Sequence, residues 1–412
     1  MKMKILAVSF GVGLILSGCS VLGLAQPTPT PTTLPSATPT LTETPTLTPI
    51  PPTETPTPTP TITLTPTPDY PLQGYGPTNF PVDINPLTGL KVSDPSFLER
   101  RPVAIKVNIV PREPTRPPWG LSFADVVYEF YHNDGYTRFH SIFLGEASTE
   151  VGPIRSARLP DDYLIRMYKS IFAYGSADPT INYRLFGADY SNRLILEGGR
   201  RGLCPPTDTT PLCRFDPNGY DLLLGGTEEI HAFAQAQGID DTRQNLDGTL
   251  FLIQTPETGK SGNQVTIRYS GDSYNRWDYD LATGKYFRSQ DNVYDLGSGE
   301  EFAPLIDRVN NEQVSAENVV ILLMTHSYYR KPPSEIVDIQ FQGTGKAYAF
   351  RDGNVYDLQW NIPTVGSMIT LTFPDGSSYP FKPGNTWFQV VGQYSTVSEP
   401  ETGSWRFDFL MP

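Results

Sequence analysis

The sequence predicts an α+β fold, a mixed α/β half followed by a mainly antiparallel β half, and three observations carry that reading. Helical periodicity is confined to residues 161–237, where it alternates with short apolar strands. From about Asn263 onward, short alternating segments recur between Asp-Gly and Gly-rich turns, the pattern of an antiparallel sandwich or barrel. A long Thr/Pro tract separates both halves from the first residues of the chain.

Met1-Lys2-Met3-Lys4 is a short basic start, and Ile5 to Leu16 is an apolar run too short for a permanent membrane span. This reads as a secretory signal. Leu16-Ser17-Gly18-Cys19 has the pattern of a bacterial lipobox, in which small residues admit a peptidase and the Cys19 thiol accepts diacylglycerol. Residues 1–19 are therefore expected to be a lipoprotein signal peptide, with Cys19 as the lipidation site and the bacterial cell membrane, on its outer face, as the address. Two acyl chains give lasting attachment where one is marginal.

Residues 20–78 form the expected linker, nearly all Thr and Pro from Gln26 to Pro68. No core forms from such a composition. Extended polyproline II rises about 3.1 Å per residue, so roughly forty residues reach on the order of 100 Å. That suits a spacer through a wall or glycan layer, whether or not its Thr hydroxyls carry sugars.

The remainder is too long for one small core, and a boundary is placed between Pro256 and Asn263, giving an N-terminal α/β domain at 79–260 and a β-rich domain at 261–412. The net charge of -13 and a pI near 4.8 argue against nucleic acid as a partner, so any anion site is local. Of the three cysteines, Cys19 is assigned to lipid. Outside the cytosol, Cys204 and Cys213 read as a local disulfide contributing about 2 to 3 kcal/mol. A metal site is the rival reading, disfavoured because no His is near; no metal or cofactor is expected.

Taken in order, Pro102 to Val110 is an alternating strand, and Ser122 with Asp125 resembles a capping box opening one helical turn. Val126 to His132 and Tyr136 to Leu144 form a hairpin about Asn133-Asp134-Gly135. Helices are expected at Asp161 to Lys169, Thr180 to Phe186 and Thr227 to Gln237, the last ended by Gly238, with a strand at Ile171 to Tyr174. Later strands include Gln264 to Tyr269, Glu317 to Thr325, Ala347 to Phe350, Met368 to Phe373, Trp387 to Val391 and Trp405 to Leu410.

Several segments carry a family resemblance. Asn85-Pro86-Leu87-Thr88-Gly89, Arg101-Pro102-Val103-Ala104-Ile105, Gly120-Leu121-Ser122 with Ala124-Asp125-Val126-Val127-Tyr128-Glu129, Gly135-Tyr136-Thr137-Arg138 and Gly152-Pro153-Ile154-Arg155-Ser156-Ala157-Arg158 resemble the YerB-like lipoprotein family. In the second half Trp277-Asp278-Tyr279-Asp280, Thr283-Gly284-Lys285-Tyr286-Phe287-Arg288, Asn318-Val319-Val320, Gly343-Thr344-Gly345-Lys346-Ala347 and Lys382-Pro383-Gly384-Asn385-Thr386-Trp387 resemble that family's second domain. The resemblance implies a two-domain architecture and an envelope location, without an activity. Where the family has Pro-His-Asn-Leu-Tyr, this chain has Asp216-Pro217-Asn218-Gly219-Tyr220, so no role for that histidine carries over.

Arg155, Ser156 and Arg158 stand ahead of a helix N-terminus, with Arg138 on the preceding hairpin. Guanidinium forks, a hydroxyl and free helix N–H groups suit a carboxylate or phosphate, unless Asp161 and Asp162 occupy the same donors. A second constellation depends on hairpin register. A two-residue turn sets Glu129 opposite His140, an acid/base pair; a three-residue turn sets it opposite Phe139. Gly259-Lys260-Ser261 lacks the earlier glycine of a phosphate loop, Gly343 to Lys346 reads as a strand turn, and His231 and His326 lack metal-ligand companions.

Three functions remain in view. The chain binds an anionic envelope component, such as a peptidoglycan stem or a teichoic-type phosphate; it is an envelope hydrolase using Glu129 and His140; or it is a structural adaptor for another envelope protein.

Overall fold

The computed structural model describes residues 70–197, 203–216, 219, 222–295 and 299–411. The lipobox, Cys19 and the Thr/Pro tract to residue 69 lie outside the described residues, as does part of the Asp216 to Tyr220 segment.

Local sequence sets most of the first half. Strand β1 (Val103–Val107) ends three residues earlier than expected, because the Asn108 N–H leaves the ladder for the Pro153 carbonyl at 2.9 Å. A single turn, α1 (Arg112–Thr115), follows. Strands β2 (Val126–Asn133) and β3 (Tyr136–Phe143) meet at Asp134-Gly135, both with positive φ (53° and 83°), which Asp-Gly adopts at low cost. Then come α2 (Asp161–Tyr168), β4 (Ile171–Tyr174), α3 (Pro179–Phe186), β5 (Leu194–Leu196) and α4 (Thr227–Ala236). Asp178 caps α3 by accepting the Thr180 N–H at 2.9 Å, with Pro179 at the first helical position. Gly238, at φ 69°, turns the chain out of α4.

The expected capping box does not form. Ser122 sits within a 3-10 turn, Leu121–Phe123, entered from Gly120 at φ 74°. The Asp125 carboxylate instead accepts from the Asn85 amide and from the backbone N–H groups of Leu144 and Gly145.

The fold is α+β, built on an 11-stranded mixed sheet. Its order runs Thr370–Thr372, Asn354–Ile362, Gly343–Arg351, Asn318–Met324, Thr386–Gly392, β2, β3, β1, β4, β5, and Lys260–Ser261 pairs off Asn354–Ile362. Strand Thr386–Gly392 lies parallel to both β2 and Asn318–Met324, from Val126↔Thr386 to Phe130↔Val390 on the first side. The sheet thus continues across the segment where the boundary was placed, and Pro66–Pro412 forms one compact unit.

The second half is mainly antiparallel, as expected, and its parallel centre is what departs from a purely antiparallel sandwich or barrel. Every residue of Asn318–Met324 and of Thr386–Gly392 is buried. Near-continuous apolar strands need cover on both faces, which the middle of a large mixed sheet supplies.

A seven-stranded sheet runs Phe302–Pro304, Lys285–Asp291, Tyr274–Asp280, Gln264–Arg268, Ser404–Asp408, Thr396–Glu401, with Ser315–Ala316 beside Lys285–Asp291. It packs on the centre of the large sheet. Trp277 meets Trp387 at 5.1 Å between ring centroids, and the Tyr269 hydroxyl reaches Gln389 Oε1 at 3.0 Å. Among the described residues no helix is long and apolar enough to cross a membrane.

Candidate functional site

Strands β1, β4 and β5 run parallel, and their C-terminal ends deliver Asn108, Ser176 and Glu197 to one edge of the sheet. Open α/β sheets place ligands at that edge, where loops and unpaired backbone groups converge. The segment after Gly152 crosses it. Arg155 N–H donates to the Lys106 carbonyl (2.9 Å), Gly175 N–H to the Arg155 carbonyl (3.1 Å) and Ala157 N–H to the Ser176 carbonyl (2.8 Å). These bonds set Arg155, Ser156 and Arg158 side by side. Ser156 Oγ lies 2.8 Å from Ser176 Oγ, and a cavity of about 100 Å³ opens among Arg155, Ser156, Ser176, Glu197 and Arg214.

Arg138 joins from β3, its guanidinium donating to the Ser156 carbonyl at 2.8 Å. Arg158 donates to the Ala157 carbonyl at 2.9 Å, and its other terminal nitrogen lies 3.3 Å from Asn133 Oδ1 and 3.4 Å from His132 Nδ1. The structure therefore gathers the four predicted residues about Ser156: Arg138 and Arg158 meet its carbonyl, while Arg155 and the Ser156 side chain line the cavity.

The two aspartates look elsewhere. Asp161 accepts from the Lys106 ammonium (2.9 Å), pairs with His140 Nδ1 (2.8 Å) and takes the backbone N–H of Arg158 (2.6 Å). Asp162 serves Arg166, Arg184 and the Tyr190 hydroxyl. Asp161 thus closes its own helix start and the internal knot forms with Lys106, so no carboxylate ion-pairs with the Arg158 guanidinium among the described residues.

Burial is the dominant electrostatic influence. It brings Lys106 down to about 7, against the pull of Asp161 and with help from Arg138 and Arg158. Burial also brings Arg158 down to about 10, against the pull of the nearby Asp161 carboxylate and with Arg155 adding to the effect. His132 is pushed well below its ordinary range by burial, then by Arg138 and Arg158. Cations that depress one another mark a locally positive site in an acidic protein.

The Glu129–His140 pair does not form. The turn has two residues, yet a bulge between Tyr131 and Asn133 shifts the ladder, setting Glu129 opposite Phe139 and His140 opposite Tyr128. The two side chains then serve different networks. His140 stacks on Phe172 and pairs with Asp161, whereas Glu129 is fully buried against Arg288 at 2.8 Å and accepts Thr137 Oγ1 at 2.8 Å and the Trp387 indole N–H at 3.3 Å. Arg288 itself is enclosed by Phe139, Trp277 and Trp387. Glu129 is a structural ion-pair partner joining the two sheets.

Comparison with known proteins fits this architecture. Residues 87–198 match the N-terminal domain, and residues 265–388 the C-terminal domain, of a family described as "Protein of unknown function (DUF3048)". The chain belongs to the DUF3048 family. It is 29% identical over 321 residues to the Bacillus subtilis (strain 168) protein named "Putative lipoprotein YerB", covering 76% of this chain and 87% of that one. The crystal structure of YerB protein from Bacillus subtilis superposes with a TM-score of 0.59 at 27% identity, covering 75% of this chain and 96% of that chain.

Outside the arginine site of this DUF3048 member, Cys204 and Cys213 are joined as a disulfide. Lys260 and Ser261 form a short strand against Val355 and Asn354, and Gly343 to Lys346 begin a long strand. His231 pairs with Asp241 at 2.9 Å and His326 is buried beside the Met324 carbonyl. No group of three or more His, Cys, Asp or Glu among the described residues is arranged to hold a metal. Sequence reasoning missed Lys106, Asn108, His132 and Ser176. A lysine in the otherwise apolar Val103 to Val107 run was the available signal, since buried lysines are rare unless paired.

Proposed function

We propose that this DUF3048 lipoprotein, anchored through lipidated Cys19 outside the bacterial cell membrane, binds an anionic envelope component at Arg138, Arg155, Ser156 and Arg158. A peptidoglycan-stem carboxylate and a teichoic-type phosphate share the required chemistry. One observation carries the reading: the half-buried Arg158 guanidinium makes its hydrogen bonds only to carbonyl, amide and imidazole groups among the described residues. A partly desolvated guanidinium gains from an anion that gives it charge-assisted hydrogen bonds. Arg138 adds positive potential to the same place, and the Ser156–Ser176 hydroxyl pair offers further donors.

The test is a titration of the chain, held in detergent, with muropeptides and with a purified phosphodiester polymer, comparing native protein with Arg158→Gln. Loss of at least tenfold in affinity, about 1.4 kcal/mol, is expected for one of the two ligands. Equal affinity of native and variant protein for whichever ligand binds overturns the assignment.

A further inference from the structure

Several family-resembling segments take no part in the arginine site. Asn85 and Thr88, Ser122 and Asp125, Lys285, and Gly384 with Asn385 come from four distant stretches of both halves. They line one cavity of about 400 Å³ together with Lys91, Glu146 and Glu317. The cavity lies at the N-terminal ends of the three parallel strands β2, Thr386–Gly392 and Asn318–Met324, since Asp125, Asn385 and Glu317 each immediately precede one of them. The arginine site is at the opposite end, after the C-terminal residues of β1.

The walls are held by hydrogen bonds within each half and by one, from Gly384 to Thr88, that joins the two. Asn85 Nδ2 donates to Asp125 Oδ1 at 2.7 Å, Gly384 N–H to the Thr88 carbonyl at 2.8 Å and Asn385 N–H to Glu317 Oε2 at 2.9 Å. Gly384, at φ 138°, also permits an approach no side chain allows, because a Cβ there would fall 2.3 Å from Glu317 Cγ.

The charges do not balance within the walls. Lys285 pairs with Glu317 at 2.8 Å, and Lys91 with Asp83 at 3.0 Å. Asp125 receives only neutral donors, from Asn85, Leu144 and Gly145, and Glu146 at the rim has no ion-pair partner among the described residues. Around these two carboxylates stand the hydroxyls of Thr88, Ser93 and Ser122, and the Ser122 Oγ is shielded without a hydrogen-bond partner. Such a lining complements a compact, strongly hydrated ammonium carried on a hydroxylated or amide scaffold. The volume falls in the range of small-molecule sites.

We propose that this cavity is a second binding site, for a small ligand of monosaccharide or amino-acid size that presents a protonated primary amine. Burial, which holds the Asp125 carboxyl up at about 6, agrees with a group that gains from an arriving cation. An amino sugar and a diamino-acid side chain both offer this chemistry. The proposal is independent of the arginine site.

The experiment is calorimetric titration of the full chain in detergent with glucosamine and N-acetylglucosamine, and with lysine amide and its Nε-acetyl derivative. Binding of at least one amine is expected, weakened tenfold or more by acetylation, and the arm that responds identifies the source as sugar or amino acid. Glu146→Gln, a change at the exposed rim, is expected to weaken that amine at least fivefold, while Arg158→Gln leaves it unaltered. Absence of binding by both amines at 10 mM, equal binding of acetylated forms, or indifference to Glu146→Gln would each overturn the proposal.

Discussion

Glu129→Gln separates a structural carboxylate from a catalytic one. The substitution keeps the shape of the side chain and removes the charge facing Arg288, which is fully buried and contacts Glu129 through both terminal nitrogens, at 2.8 and 3.2 Å. Breaking one partner of a buried pair costs about 3–5 kcal/mol, because the surviving charge stays desolvated and unpaired. The three aromatic rings around Arg288, with centroids 4.7–5.3 Å from its guanidinium carbon, offset part of that loss, which places the expectation near the lower end, about 3 kcal/mol. For a unit of this size the melting temperature then falls by roughly 4 °C. Urea denaturation followed by tryptophan fluorescence measures it directly, since Trp277 and Trp387 flank the pair. The double variant Glu129→Leu/Arg288→Met is expected to recover most of the loss. A Glu129→Gln protein within about 0.5 kcal/mol of native stability would refute the reasoning, that being the range of an ordinary surface substitution.

Other outcomes follow from the same structure. Replacing Cys204 and Cys213 by Ser opens a loop with a sequence separation of 9, and loop-closure entropy sets the expected destabilisation at about 2.5 kcal/mol, read by comparing melts with and without reductant. His326 is brought down to about 4 by burial, so its contribution is constant above pH 6.5 and declines as pH falls toward 4, where the unfolded chain binds the proton and the folded one does not. The decline amounts to at most about 3 kcal/mol, and it is expected to vanish from the pH–stability curve of His326→Asn. Lys106, at about 7, gives anion binding a pH dependence: affinity is level below pH 7, where the ammonium is already charged, and falls by up to about tenfold per unit above it as binding must recruit a proton. Calorimetry in buffers of different ionisation enthalpy detects that proton uptake.

How much of this was legible in the sequence depends on the range of the interactions. Ile171 to Tyr174 and the hairpin turn were readable because a strand between helices and an Asp-Gly pair are local signals. The register of that hairpin was not, since a bulge beside His132 moves every partner by one residue without changing the turn. Asp161 was foreseen as a competitor for the arginines, but its captor is Lys106, 55 residues earlier and on the same face only once β1 and α2 have packed. The parallel insertion of Thr386–Gly392 beside β2 joins residues some 260 positions apart. Alternating patterns report which face is buried and carry no information about which strand lies next door.

The measurement that bears most directly on the anion-binding account is co-sedimentation of the Pro66–Pro412 unit with purified cell-wall sacculi, native against a folded Arg155→Ala/Arg158→Ala variant. The account predicts salt-sensitive pelleting of the native form that the variant loses. Pelleting that is equal in both forms, or absent from both, contradicts it and turns the search toward a protein partner.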